Sequence, residues 1–295
     1  MAEIPGDILK RIINPLIFGN IIIALCTLSL FLETYLQLGV PLKLDGLAAL
    51  VFFATLFLYN FHRLMGIRRI KPEDFGIITG WAAKHQFTLF MLSVIGAGGV
   101  AIFVFQTSLV IFMILVLLGG ISMLYELPIV RHNQQFHRLR NLWIHKAFMI
   151  TTVWSLATVL LPAMNANFPL TNYHVWLVLA GRMLFIFILA LCFDARDVDF
   201  DRKDDLVTIP IRYGEKITMD LYKTASAALL LVVVMHYIVL DHYWGIGIAM
   251  VASTALTYYV VTKTFPRRSD YYYIFFVDGL MIAQFLFVWI LSSFK

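Results

Sequence analysis

Six of the aspartates in this chain fall between positions 194 and 205, in the string FDARDVDFDRKDD. If the preceding helix continues through it, Asp194, Asp197 and Asp201 lie at i, i+3 and i+7 on one face, and Asp199 points elsewhere. At about 6 Å and an effective dielectric near 20, each neighbouring pair repels by roughly 3 kcal/mol, a penalty that a bound divalent cation reverses. Such a stripe is therefore either solvated and paired with Arg196, Arg202 and Lys203, or a ligand set for a hard cation and the phosphate oxygens it attracts.

The elements that must position this stripe are membrane spans. Of the 295 residues, 61% are hydrophobic and 14% charged, where an average soluble domain carries about 25% charge. That balance argues against a soluble enzyme, a disordered chain and a nucleic-acid binder. Because a charge at the bilayer centre costs about 2.5 to 3.5 kcal/mol, uncharged runs mark the candidate spans. They are Ile12 to Leu32, Gly46 to Phe61, two within 86 to 125 broken at Gln106-Thr107-Ser108, Ala147 to Met164, Tyr173 to Phe193, Thr224 to Leu240, Tyr243 to Thr262 and Tyr271 to Phe294. The expectation is an all-α membrane protein of nine transmembrane helices, with residues 1–295 forming a single domain and the Asp string at the end of the sixth span. With the N-terminus inside, every Lys and Arg except Lys43, Arg182 and Lys295 falls on the cytoplasmic side, and the C-terminus lies outside. The N-terminal apolar run reads as a span that stays rather than a cleaved signal. Cys26 and Cys192 lie in uncharged stretches and form neither a disulfide nor a zinc framework.

The string continues into DDLVTIPIRYGEK. From Asp194 to Gly214 it resembles the second signature of the UbiA superfamily of intramembrane prenyltransferases, D-x-x-D-x-x-x-D followed by T-[LI]-P and a Gly. The matching residues are Asp194, Asp197, Asp201, Thr208, Pro210 and Gly214, and nine spans with the N-terminus inside is also that family's architecture. The resemblance implies a UbiA-like bundle with a central cavity in a bacterial inner membrane. It implies Mg²⁺ held by Asp194, Asp197 and Asp201, and transfer of a prenyl group from an isoprenyl diphosphate to an acceptor, either a lipophilic one (aromatic or lipid) or water.

The first family signature, N-D-x-x-D-x-x-x-D, falls on Tyr59 to Arg68 and keeps only Asn60. Its Asp positions hold Phe61, Leu64 and Arg68, and the local charge is basic. Two readings follow. In one, Arg63 binds diphosphate directly through its planar fork. In the other, the chain does not ionise a substrate and uses the bundle to bind an isoprenoid or to scaffold another membrane protein. A transporter is a third class, against which stands the lack of a convincing inverted repeat.

Further contacts come from the loop YELPIVRHNQQFHRLRNLWIHK, which resembles the family's Tyr-to-Lys loop and offers Tyr125, Arg138, Arg140 and Lys146 to diphosphate. Lys71-Pro72 resembles a basic-Pro element after the second span. Positive-inside bias alone also puts basic residues in both places. Asp278, with Gln284 nearby, is costly in a span unless it faces a cavity or pairs with a base such as Arg182. The eight His show no metal-ligand spacing; His132 and His137 read as loop residues and His62 sits beside Arg63.

Overall fold

In the computed structural model the described residues are 13–68, 72–126, 130–132, 135–137, 146–203, 206–241 and 243–293. After a helical stretch at 13–18 the chain breaks at Gly19-Asn20, where Asn20 takes a left-handed φ of 58°. The helices are α1 (Ile21–Gln37), α2 (Gly46–Ile67), α3 (Ile77–Lys84), α4 (Gln86–Phe103), α5 (Leu109–Glu126), α6 (Lys146–Asn165), α7 (Tyr173–Arg196), α8 (Val198–Lys203), α9 (Ile209–Leu240), α10 (Trp244–Thr262) and α11 (Asp270–Leu291). A two-stranded antiparallel hairpin, β1 (Val130–His132) with β2 (Gln135–His137), sets Arg131 opposite Phe136. His132 and His137 are thus strand residues, paired with Gln135 and Val130 respectively.

Among the described residues, seven helices are long and apolar enough to cross a membrane: α2, α4 with its extension to Gln106, α6, α7, α9, α10 and α11. Two shorter apolar helices, α1 and Leu109–Met123 within α5, accompany them. The chain is an all-α, multi-pass integral membrane protein, and each of the nine expected spans corresponds to one of these elements. Several boundaries move, and the second span runs on from Phe61 to Ile67. The first span begins only after the Asn20 break and runs on to Gln37. The seventh starts at Ile209, not Thr224, since charge ends the apolar run but does not end the helix; its early turns carry Arg212, Glu215, Lys216 and Asp220.

The described chain divides into two compact units, Met1–Leu28 with Asp45–Thr107, and Ser29–Leu44 with Ser108–Lys295. In the first, Asp45 caps α2 by accepting from the Leu47 and Ala48 amides at 3.1 and 3.2 Å. Close packing of α2 on α4 rests on small residues, because lipid supplies no hydrophobic drive between helices. A Cβ added at Gly96 would meet the Phe57 backbone nitrogen at 2.7 Å. Phe53 stacks on Phe103 at 5.9 Å alongside.

In the second unit α7 is the most buried of the long helices and is apolar nearly all round, so it packs against both α6 and α9. Its one mid-span charge is neutralised internally. Arg182 pairs with Glu33 of α1 at 3.2 Å and donates to the Gln37 side chain at 3.3 Å, while Gln37 donates to Glu33 at 2.8 Å. Arg182 is therefore not the partner of Asp278. Asp278, in a π-helical turn of α11, lies instead in the electrostatic reach of Arg196.

Replacing Gly96 by Leu is expected to force α2 and α4 apart at a cost of about 1 to 3 kcal/mol. Thermal unfolding in detergent checks this, and an unchanged midpoint would show that the close approach contributes nothing.

Candidate functional site

The Asp stripe forms where α7 ends. Asp197 is the residue after the last turn of α7, and the Asp201 amide donates to the Asp197 carbonyl at 2.8 Å, so the helical path continues into α8 with only a slight break. The register expected from spacing is kept. Asp194 Oδ1, Asp197 Oδ2 and Asp201 Oδ2 converge on the Lys146 ammonium at 3.5, 3.3 and 3.3 Å. Asp199 turns away and pairs with exposed Arg267 at 2.8 Å. Lys146 opens α6, which packs along α7, and this docking brings the ammonium to the carboxylates.

Arg196 forks onto Asp197, Nε donating to Oδ1 at 2.8 Å and Nη2 to Oδ2 at 3.2 Å, and its guanidinium lies 4.8 Å from the Phe193 ring. Of the three basic residues expected to neutralise the stripe, Arg196 does so, and Lys146 serves as the central counter-ion. Burial by itself would raise the Asp197 carboxyl, but the Arg196 guanidinium and the Lys146 ammonium outweigh it and hold the carboxyl well below the usual carboxylate range.

Among the described residues three carboxylates face two cations, and Asp194 is fully buried, ion-paired to Lys146 with neither oxygen in a hydrogen bond. Oxygens already gathered around one positive point, with an excess of negative charge, are the donor chemistry a Mg²⁺ ion takes. The Lys146 ammonium stands at the point these oxygens share.

Downstream, Thr208 precedes α9, Pro210 occupies its first turn, and Gly214 takes a φ of 79° that lets the chain kink before the long helix resumes. The Gly214 carbonyl then accepts from the Thr218 hydroxyl at 2.8 Å. Only Gly adopts that angle without strain. Thr208 Oγ1 is buried and makes no hydrogen bond.

In the first unit, Asn60 is fully buried in α2. Its amide donates to the Gly19 and Leu56 carbonyls at 3.0 and 2.8 Å and accepts from Asn20 Nδ2 at 3.0 Å. Arg63, one turn on, donates to Asn20 Oδ1 at 3.1 Å. The left-handed Asn20 turn thus supplies the side chain that links Asn60 to Arg63. The Tyr125 side chain, Arg138, Arg140 and Lys71 lie outside the described residues.

Two groups are invisible in the sequence spacing. One is the buried Glu33–Arg182–Gln37 set, which with His236 and Gln284 lines a small cavity in the second unit. The other is His174, His236 and Asp241, whose ligand atoms lie within 4.8 Å of one another. His236, buried near the end of an uncharged span that Asp241 closes, was the available signal.

The chain is similar to one solved structure, of a digeranylgeranylglyceryl phosphate synthase in membranes, at 12% identity and a TM-score of 0.58 over 96% of this chain and 99% of that one. At that identity the likeness is one of overall fold alone. No family model and no curated protein matches the chain.

Because the Asp197 carboxyl is held below its usual range in the folded state, its contribution to stability is fully present above its unfolded value of about 3.9 and is lost as pH falls from there through the lower folded-state value. In metal-free buffer, Asp197→Asn is expected to cost about 1.5 to 3 kcal/mol at pH 7 and progressively less as pH falls below about 4. Unfolding midpoints of the two proteins across that range test it; parallel curves would contradict it.

Proposed function

We propose that this chain is a Mg²⁺-dependent prenyltransferase that takes an isoprenyl diphosphate from the bilayer and passes its prenyl group to a lipophilic acceptor. The observation that carries this reading is the convergence of Asp194, Asp197 and Asp201 on one cationic point at the end of α7. The UbiA-like fold supports it, as does the continuation of the motif through Thr208, Pro210 and Gly214. The positive-inside bias of Lys and Arg supports a cytoplasmic position for this end of the helices.

In this reading Asp194, Asp197 and Asp201 hold Mg²⁺. When bound, the ion neutralises the diphosphate that departs as the allylic carbon gains positive charge. Arg196 keeps Asp197 ionised and oriented through its two-point contact. Lys146, already within ion-pair distance of all three carboxylates, is the basic group assigned to diphosphate from this side. Asn60, Arg63, Tyr125 and Arg140 are further diphosphate contacts on the strength of the sequence resemblance. The acceptor loses a proton as its new bond to the prenyl carbon forms.

A second reading is a non-catalytic isoprenoid-binding or scaffold protein. Phe61, Leu64 and Arg68 stand where the resemblance calls for carboxylates, and side chains without oxygen cannot ligate a second Mg²⁺. Asn60 supports it too, since both of its amide hydrogens are already given to backbone carbonyls.

Purified protein should bind farnesyl or geranylgeranyl diphosphate more tightly with Mg²⁺ than with chelator. Asp194→Ala and Asp201→Asn should each weaken that binding by about tenfold or more, a loss of at least about 1.4 kcal/mol. Arg63→Met should weaken it in either condition. Product formation from a panel of acceptors supports the first reading. Mg²⁺-dependent binding without product supports the second, and no affinity for either diphosphate contradicts both.

A further inference from the structure

At the end of α7 opposite the Asp stripe, three side chains from separate parts of the second unit meet. His174 stands in the first turn of α7, placed by Asn172, whose side chain accepts from the His174 amide at 3.0 Å. His236 lies in the π-helical turn that ends α9, a distortion often found where a helix is adapted to a site. Asp241 follows, its amide donating to the His236 carbonyl at 3.0 Å. His236 is 1% exposed and the Asp241 side chain 2%, whereas His174 is partly open on the rim.

The three polar atoms form a nearly equilateral triangle. His174 Nδ1 is 2.8 Å from Asp241 Oδ2, His236 Nε2 is 3.0 Å from the same oxygen, and the two nitrogens are 3.1 Å apart. Despite these distances, Asp241 Oδ2 is buried and no hydrogen bond of acceptable direction reaches it. Its other oxygen is satisfied by the Tyr173 hydroxyl at 3.3 Å. Protons alone serve this triangle poorly. If both nitrogens carry hydrogen, they repel at 3.1 Å, and if one donates to the other, one ring is left with nothing for the carboxylate. A single cation satisfies all three atoms together. An ion about 2.0 to 2.1 Å from each would sit about 1 Å out of their plane.

We infer that His174, His236 and Asp241 form a transition-metal site that takes Zn²⁺. Two imidazole nitrogens and one carboxylate oxygen suit Zn²⁺, and they do not suit Mg²⁺, which takes oxygen donors. The fourth position, on the His174 side, is left to water. The ion ties the start of α7 to the end of α9 and to the connection into α10. Position 174 lies 20 residues along α7 from Asp194, about 30 Å by helical rise. The site is therefore separate from the Mg²⁺ proposal and stands whether or not that proposal holds.

The test uses the full chain in detergent, stripped with chelator and then dialysed against Zn²⁺ or Co²⁺ in excess Mg²⁺. The expected result is one Zn²⁺ per chain by elemental analysis, a thermal midpoint raised by about 5 °C, and visible Co²⁺ bands of four-coordinate type. Asp241→Asn and His236→Gln should lose all three. Because both side chains are buried, the rim variant His174→Ala provides a folding-safe check: it should keep the metal-free midpoint and circular dichroism of the parent yet lose the bound ion. Equal Zn²⁺ uptake by parent and His174→Ala, or a parent that retains none, overturns the inference. Diphosphate binding by His174→Ala is expected to match the parent.

Discussion

The second unit is organised around one electrostatic problem. Three carboxylates are lined up at the end of the most buried helix, and they hold together because a single ammonium reaches all of them. Without Lys146 the stripe would pay mutual repulsion of roughly 3 kcal/mol for each neighbouring pair at about 6 Å. Its presence constrains much else. α6 must begin at position 146 and run against α7, the path must stay helical from Asp197 to Asp201, and Arg196 must fold back on Asp197 rather than reach for solvent. The cluster is a place where positive charge is required, and this property underlies the proposed ion and diphosphate.

α7 carries polar groups at three levels, each solved differently. Near its start His174 meets a histidine and an aspartate from further along the chain. Midway, Arg182 is neutralised by Glu33 and held by Gln37. At its end the carboxylates gather around Lys146. Between these levels its side chains are apolar and pack on α6 and α9, so the polar groups sit on a rod that is otherwise rigidly enclosed. Position on such a rod gives a site better geometry than a loop would.

Much of this was legible in the amino-acid order, for reasons that vary by feature. The spans could be read because charge is expensive in hydrocarbon, and even the short break at Gln106-Thr107-Ser108 marks the gap between α4 and α5. The orientation of Asp194, Asp197 and Asp201 followed from helical periodicity, a local rule. What spacing does not encode is who answers a charge across the fold. Lys146 lies 51 residues before Asp197, and His174 and His236 are 62 apart, separations that leave no periodic trace. For the same reason the sequence offers Arg182 as one base that could answer Asp278, whereas its partner is Glu33, just beyond the first apolar run as judged by charge. The start of α9 was placed late because charged residues mark the edge of the bilayer, and the helix projects past that edge.

The Glu33–Arg182 pair also bears on biogenesis. Each residue is separated from its counter-ion by 149 positions, and either one alone raises the cost of entering lipid by about 2.5 to 3.5 kcal/mol. At roughly 5 to 20 residues per second, the ribosome needs about 7 to 30 s to deliver Arg182 after Glu33. During that interval the first helix carries an unanswered acid, which favours its lingering at the translocon, protonated or near the headgroups, until α7 arrives to claim it.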